Sequence, residues 1–384
     1  MENADRSEGQ EIRKGSAKWL PSLLLLLAST VISLGFLEIA VRIVSPPPPF
    51  GPYFDLRPYK KLELRPNLPG VAEVVHHSAN KWGMRGDDPP KDWDRALTVL
   101  TIGGSTTQCF YLDDAKTWPH LVEQDLRSWC SGAWVGNAGL DGHSTHGHVL
   151  LMKKVVSKVH PDMVIFLVGL NDLALSVAYG DSGSPFDNHW KAKVQSGGIR
   201  SWLERSRLFQ ILSIWKRVLV DGVLVVNKVG HHRYHPERLI GSEDVLPDSG
   251  RQMPSLAPFL RNIDTLAMTA KALGIRPIFL TQPGLFSEDH AWDSIAGGMS
   301  FLETSRWKIS ASTEARLLRL FNHELLETCG RLGVECLDLG AKIPHDSAYF
   351  YDDYHFTELG AAKVAGEVSG FLRGLSGVCP DTAH

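Results

Sequence analysis

The feature that most constrains this chain is a series of short, largely apolar segments after residue 95, the two clearest of them stopped by glycine. Residues 163–168 (MVIFLV) are the clearest, and residues 96–102 (ALTVLTI) halt at Gly103-Gly104. Residues 134–138, 277–280 and 334–339 repeat the pattern. A strand with no polar face has to be covered on both sides. Amphipathic stretches of helical length alternate with these strands. They run through Trp118, Leu121, Val122 and Leu126, over 149–159 up to Pro161, and over 260–273. Two more run through Leu317, Leu318, Phe321, Leu325 and Leu326, and over 358–372. Strand–helix units of this length predict a central parallel sheet with helices on both faces, an α/β three-layer sandwich.

Residues 176–255 break the rhythm with Gly/Ser/Asp/Asn stretches, and read as an insertion or cap over one end of the sheet. Its amphipathic stretch, residues 202–220, reads first as an ordinary helix packed on the core, with a membrane-surface or lid role as the alternative. A His/Arg patch comes next at His231, His232, Arg233 and His235.

Residues 20–44 are apolar except for Glu38 and Arg42, with leucine at every position from 23 to 27. About 20 such residues suffice to cross a bilayer, so one transmembrane helix is predicted over residues 19–44. Arg6, Arg13, Lys14 and Lys18 precede it. By the positive-inside rule residues 1–18 are then a cytoplasmic tail, and the chain beyond the span lies outside the cytoplasm. Glu38 and Arg42 stand i,i+4 and are placed to pair near the far interface. A cleaved signal peptide is the rival reading, with an apolar stretch at 20–28 and a small-residue site at Ser33-Leu34-Gly35. The apolar run continues past the usual length of such a stretch, which favours an anchor. Residues 45–95, with four prolines at 46–49, read as a stalk and irregular lead-in, and residues 96–384 as the folded domain.

Forty Lys and Arg against 43 Asp and Glu leave a net charge of −3, which carries no nucleic-acid signature. The five cysteines (Cys109, Cys130, Cys329, Cys336 and Cys379) contain no C-x-x-C pair, which argues against a zinc ribbon or thioredoxin-type site and allows at most two disulfides. Cys329 and Cys336, at a helix end and a strand, are placed to pair in an oxidising compartment.

Four segments carry chemistry. Gly103-Gly104-Ser105-Thr106-Thr107 follows the first strand and opens a helix, where free backbone N–H groups favour developing negative charge and suit a serine nucleophile. By itself Ser105 would be a plain N-cap, and a phosphate cradle lacks the Gly-Lys-Ser/Thr that would complete it. Asn137-Ala138-Gly139-Leu140-Asp141-Gly142 follows the second strand, its glycines allowing a tight turn. Gly169-Leu170-Asn171-Asp172 follows MVIFLV and offers a side-chain amide as a donor. Asp352-Asp353-Tyr354-His355 precedes the last helix, and its i,i+3 spacing lets Asp352 orient the His355 imidazole as a general base.

In order and context these segments resemble the SGNH hydrolases, the GDSL esterase/lipase family, over roughly residues 96–372. The resemblance implies a flavodoxin-like sandwich with Ser105 as nucleophile, His355 as base and Asp352 as its orienting acid. It implies an oxyanion hole from the Ser105 N–H, the Gly142 N–H and the Asn171 side chain, Gly139 being the weaker candidate for the second donor. The family's first block is usually Gly-Asp-Ser. Gly104 here matches a Gly-Gly-Ser-Thr branch found behind amino-terminal membrane segments, and altered support around the serine is expected.

The expected protein is a membrane-anchored serine esterase acting on O-acyl, above all O-acetyl, esters of an extracytoplasmic glycan. The alternatives are an O-acyltransferase with the same residues, a lipase-like esterase, and a catalytically idle glycan-binding protein. The expected partners are an acylated small molecule or polysaccharide and the lipid bilayer, with no cofactor. Asp141, His143, His146 and His148 lack a completing ligand for zinc, so no metal is expected and the histidines are read as solvated or substrate-facing. Cys109 is read as a small buried hydrophobe.

Overall fold

The computed structural model describes residues 19–44, 50, 53–54, 58–130, 132–179, 206–209, 211–212, 253, 255–287 and 311–379. Residues 1–18, the prolines at 46–49, the patch at 231–235 and most of the 176–255 insertion therefore lie outside the described residues. Two compact units result: Met1–Pro47 with Gly197–Val220, and Pro48–Ser196 with Asp221–His384.

The first unit contains α1 (Trp19–Val44). Its apolar side chains, among them Leu23 to Leu27, Val31, Ile32, Phe36 and Ile39, are exposed along its length. Ser29 and Thr30 turn their hydroxyls back onto the Leu26 carbonyl at 3.0 and 2.7 Å, which hides their polarity within the helix.

In the second unit β1 (Lys61–Leu64) and β2 (Val75–Ser78) pair antiparallel. The main sheet consists of β3 (Thr98–Gly103), β4 (Trp134–Asn137), β5 (Met163–Leu167), β6 (Arg276–Leu280) and β7 (Glu335–Leu337). All its neighbours are parallel in the order β4-β3-β5-β6-β7, the flavodoxin-like arrangement. The helices are α2 (Ser105–Gln108), α3 (Trp118–Arg127) and α4 (Thr145–Leu151), which runs through a π turn (Met152–Val156) into α5 (Ser157–Val159). They continue with α6 (Leu170–Tyr179), α7 (Leu256–Ala272), α8 (Ala311–Leu332) and α9 (Glu358–Arg373).

Strand alternation sorts the apolar side chains into two cores. Leu100, Ile102, Val164, Phe166 and Phe279 pack with Met152, Phe259, Ile263, Leu317 and Phe321 on one face. Val99, Ile165, Leu167, Ile278 and Leu280 pack with Trp118, Val122, Leu126, Val364 and Val368 on the other. This is the expected three-layer sandwich.

Several details differ from the sequence reading. From Phe50 onward the segment read as stalk and lead-in packs into the second unit: Phe50, Phe54 and Met84 join the first core, and Leu62, Leu64 and Val75 are buried. The helix expected from residue 149 starts at Thr145, because the Asp172 carboxylate accepts from the Thr145 N–H at 3.1 Å and its hydroxyl at 2.6 Å. The insertion leaves and returns at one point, where the Ser255 N–H donates to Ser176 Oγ at 2.9 Å. Cys329 and Cys336 are bonded, in keeping with their placement in the sequence; the bond between Cys130 and Cys379, which ties the end of α3 to the chain beyond α9, was not anticipated.

Candidate active site

The carboxyl ends of β3, β4 and β5 deliver the first three chemical segments to one edge of the sheet. Ser105 is the first residue of α2, a single turn in which the Ser105 carbonyl accepts from the Cys109 N–H at 2.8 Å and the following carbonyls need partners from outside the turn. Side chains from three other elements satisfy them. Trp118 Nε1 donates to the Thr106 carbonyl at 3.1 Å and Asn137 Nδ2 to that of Thr107 at 2.9 Å. Arg85, 5% exposed, donates to the carbonyls of Gln108 (2.7 Å), Cys109 and Leu112, and pairs with Asp114 at 2.8 Å.

The glycines here answer to space. A Cβ on Gly139 would stand 2.3 Å from the Gln108 nitrogen and 2.7 Å from the Thr107 carbonyl carbon, so Gly139 lets the β4 loop touch α2. A Cβ on Gly104 would stand 2.2 Å from Asn171 Nδ2, so the usual Gly-Asp-Ser could not be accommodated without moving that amide. Asn171, 8% exposed, donates to the His143 carbonyl at 3.0 Å and has its second amide hydrogen left to give. Gly142 takes a left-handed φ of +68° in an exposed turn, and its N–H has no hydrogen-bond partner among the described residues.

From the other end of the chain, Asp352 Oδ2 lies 2.7 Å from His355 Nδ1, and His355 Nε2 lies 2.8 Å from Ser105 Oγ. Asp352 Oδ1 accepts from the backbone N–H groups of Tyr354 (3.0 Å) and His355 (2.7 Å), which fixes the carboxylate before it meets the ring. With Nδ1 donating to Asp352, Nε2 is left to accept the serine proton. Burial disfavours a charged His355, but the Asp352 carboxylate and its hydrogen bond, with Asp141, outweigh burial and raise its pKa. Burial works against charged Asp352 as well, yet His355 and the backbone donors hold its pKa below the usual range. The Tyr351 ring stacks on His355 with 5.6 Å between centroids and 7° between planes. Such an arrangement can deprotonate a hydroxyl and stabilise the imidazolium that results.

Burial pushes Asp172 up to about 6 and the Cys109 thiol up to about 11, so Cys109 is the inert hydrophobe expected. The reading of solvated histidines is corrected for His143 and His148, while His146 is half-buried. His143 and His148 are each 1% exposed, with ring centroids 5.6 Å apart, and burial lowers His148 to about 3. Among the described residues, Asp87, His120 and Glu123 bring ligand atoms within 4.8 Å of one another. Glu123 is already engaged by the Val135 N–H and Arg127, both at 2.7 Å, and His120 by Gln124 at 2.9 Å. The sequence places Trp118 in a helix but gives no sign that its indole supports the turn bearing Ser105, and Arg85, in a stretch without periodicity, gives none either.

The model of the GDSL-like lipase/acylhydrolase family matches residues 101–363, and the chain belongs to this family of serine ester hydrolases, in its SGNH form. No curated protein sequence matches it. Among solved structures it is similar to an acetylxylan esterase from Geobacillus stearothermophilus (14% identity, 73% of this chain and 95% of that one, TM-score 0.39). It is also similar to a GDSL-like lipase from Bacteroides thetaiotaomicron (11%, 74% and 90%, TM-score 0.36) and to an acetyl xylan esterase (13%, 71% and 98%, TM-score 0.40).

Proposed function

We propose that the protein is a membrane-anchored esterase that removes O-acyl groups, foremost O-acetyl groups, from a glycan outside the cytoplasm, through an acyl-enzyme on Ser105. The observation that carries this reading is the continuous chain from Asp352 through His355 to Ser105 Oγ, with links of 2.7 and 2.8 Å. His355 takes the Ser105 proton as Oγ attacks the ester carbonyl, and the Ser105 N–H, the Gly142 N–H and the Asn171 amide receive the oxyanion. The intermediate collapses with transfer of the proton from His355 to the leaving alcohol. Water, deprotonated by His355, then attacks the acyl-enzyme, releasing the carboxylic acid and restoring Ser105.

The exposed apolar α1, with four basic residues at positions 6–18 before it, supports a single-pass anchor with residues 1–18 in the cytoplasm. Two disulfides in the second unit support an oxidising compartment for it. The acetyl preference rests on the family resemblance. It is tested by comparing acetyl with octanoyl nitrophenyl esters, and by measuring acetate release from an acetylated polysaccharide. Faster acetyl turnover with acetate release is expected; octanoyl preference would replace the glycan by a lipid ester. Transfer of the acetyl group to an added acceptor at the expense of free acetate would make the protein a transferase.

A further inference from the structure

Glu38 is the one acidic residue of α1, and it is committed to more than Arg42. One carboxylate oxygen accepts from Arg42 Nε at 2.6 Å and from the Arg207 N–H at 2.8 Å. The other accepts from Ser206 Oγ at 2.8 Å and from the Leu208 N–H at 2.9 Å. The carboxylate thus caps the first turn of a helical piece at 207–209 and 211–212, which belongs with α1 to the first unit. Of the stretch 202–220, residues 206–209 and 211–212 are described, and the rest lies outside the described residues. Phe209 and Leu212, spaced i,i+3, are 41% and 57% exposed and share one apolar face of this piece.

The level at which this contact is made can be read from α1. The stretch from Leu20 to Leu37 carries no charge, and at about 1.5 Å per residue its 18 residues cover about 27 Å, close to the hydrocarbon thickness of roughly 30 Å. Glu38 and Arg42 therefore fall at the far boundary between hydrocarbon and headgroups. A segment capped by Glu38 lies at that depth, beside the exposed apolar surface of α1. Residues 205–217 carry Arg205, Arg207, Lys216 and Arg217 and no acidic residue, which complements anionic headgroups.

We propose that residues 206–209 and 211–212 make a second membrane contact, an interfacial one, in which Phe209 and Leu212 enter the headgroup boundary of an anionic bilayer and Glu38 of the anchor holds the segment there. This rests on the reading that α1 spans a bilayer. Because residues 197–220 of the first unit are continuous in sequence with the second unit at both ends, the catalytic unit would then be tied to the membrane through this segment as well as through the chain after Val44.

The test uses the full chain in vesicles of phosphatidylcholine and phosphatidylglycerol. Cys109 is buried and the other four cysteines are bonded, so an introduced cysteine is the one reactive thiol. A fluorophore is placed on Phe209→Cys or Leu212→Cys, with Ile32→Cys as a reference inside α1 and Lys158→Cys as an exposed reference on the catalytic unit. Nitroxide lipids labelled near the headgroup are expected to quench the 209 and 212 labels, while aqueous iodide quenches the Lys158 label and not these two. In a Glu38→Leu background the 209 label should lose its shielding from iodide while Ile32 keeps its own. Glu38→Gln, which retains a carbonyl acceptor, should preserve much of the shielding. Full iodide access at 209 and 212 with Ile32 still quenched by lipid would overturn this proposal alone. Iodide access at Ile32 as well would overturn the span, and the proposal with it.

Discussion

At the scale of single residues, Gly104 has the clearest consequence. The Gly-Asp-Ser block usual in the family would put a side chain before the serine; here a Cβ would come within 2.2 Å of Asn171 Nδ2. Because that atom ends a movable side chain, Gly104→Ala should displace the amide and leave the fold intact. The expected result is a fall in kcat of about 10²–10³, roughly 2.7–4 kcal/mol, the loss seen when one oxyanion donor is removed. Thermal unfolding of the variant should match wild type, and Asn171→Ala should show a similar kinetic loss that does not add to the first. Asp141 offers a second test. Its charge favours the imidazolium form of His355, the form that cannot act as base. Asp141→Asn therefore lowers the His355 pKa, so the acid limb of the kcat/KM profile should move to lower pH. An unmoved limb would show that Asp141 does not act on His355.

At the scale of elements, α2 is a four-residue helix held by its surroundings, and Arg85 is the chief restraint. Replacing it with Ala leaves Asp114 its two bonds from Ser78 but strips the side-chain donor from the carbonyls of Gln108, Cys109 and Leu112, at an expected cost of about 1–3 kcal/mol or more, to be read in denaturant unfolding. Activity of the molecules that stay folded should fall too, since the turn bearing Ser105 loses its hold. The strands of the main sheet were legible in the sequence because β5 is apolar throughout and β3 is a largely apolar, β-branched run whose polar members are two threonines, the pattern a buried parallel sheet demands. The chemical segments were legible because each stands at a strand's end or just before a helix, with a glycine or a D-x-x-H spacing to mark it. Arg85 was not: it precedes Ser105 by 20 residues in a stretch without periodicity, and its role arises from long-range packing alone. His143 and His148 misled because residue type suggested solvent, whereas the close approach of Gly147 to the His143 ring, 2.8 Å from a notional Cβ, buries them.

At the scale of the whole molecule, the Cys130–Cys379 bond closes a loop of 249 residues and fastens the carboxyl-terminal end, with Asp352, His355 and α9 just ahead of it, to α3. Chain entropy alone sets its contribution at about 5 kcal/mol, an upper figure for so long a loop. Cys130→Ser with Cys379→Ser should lower Tm clearly, while the folded variant keeps its turnover because neither cysteine lies at the site; unchanged Tm would mean that the bond contributes nothing to the fold. The central claim is that Ser105 is activated by His355 and Asp352, and covalent labelling with a fluorophosphonate tests it most directly. Wild-type protein should be labelled at one site, on the peptide carrying Ser105, with labelling abolished in Ser105→Ala and strongly slowed in His355→Ala. A folded wild-type protein that takes no label, or a Ser105→Ala variant that still takes it, would contradict the claim.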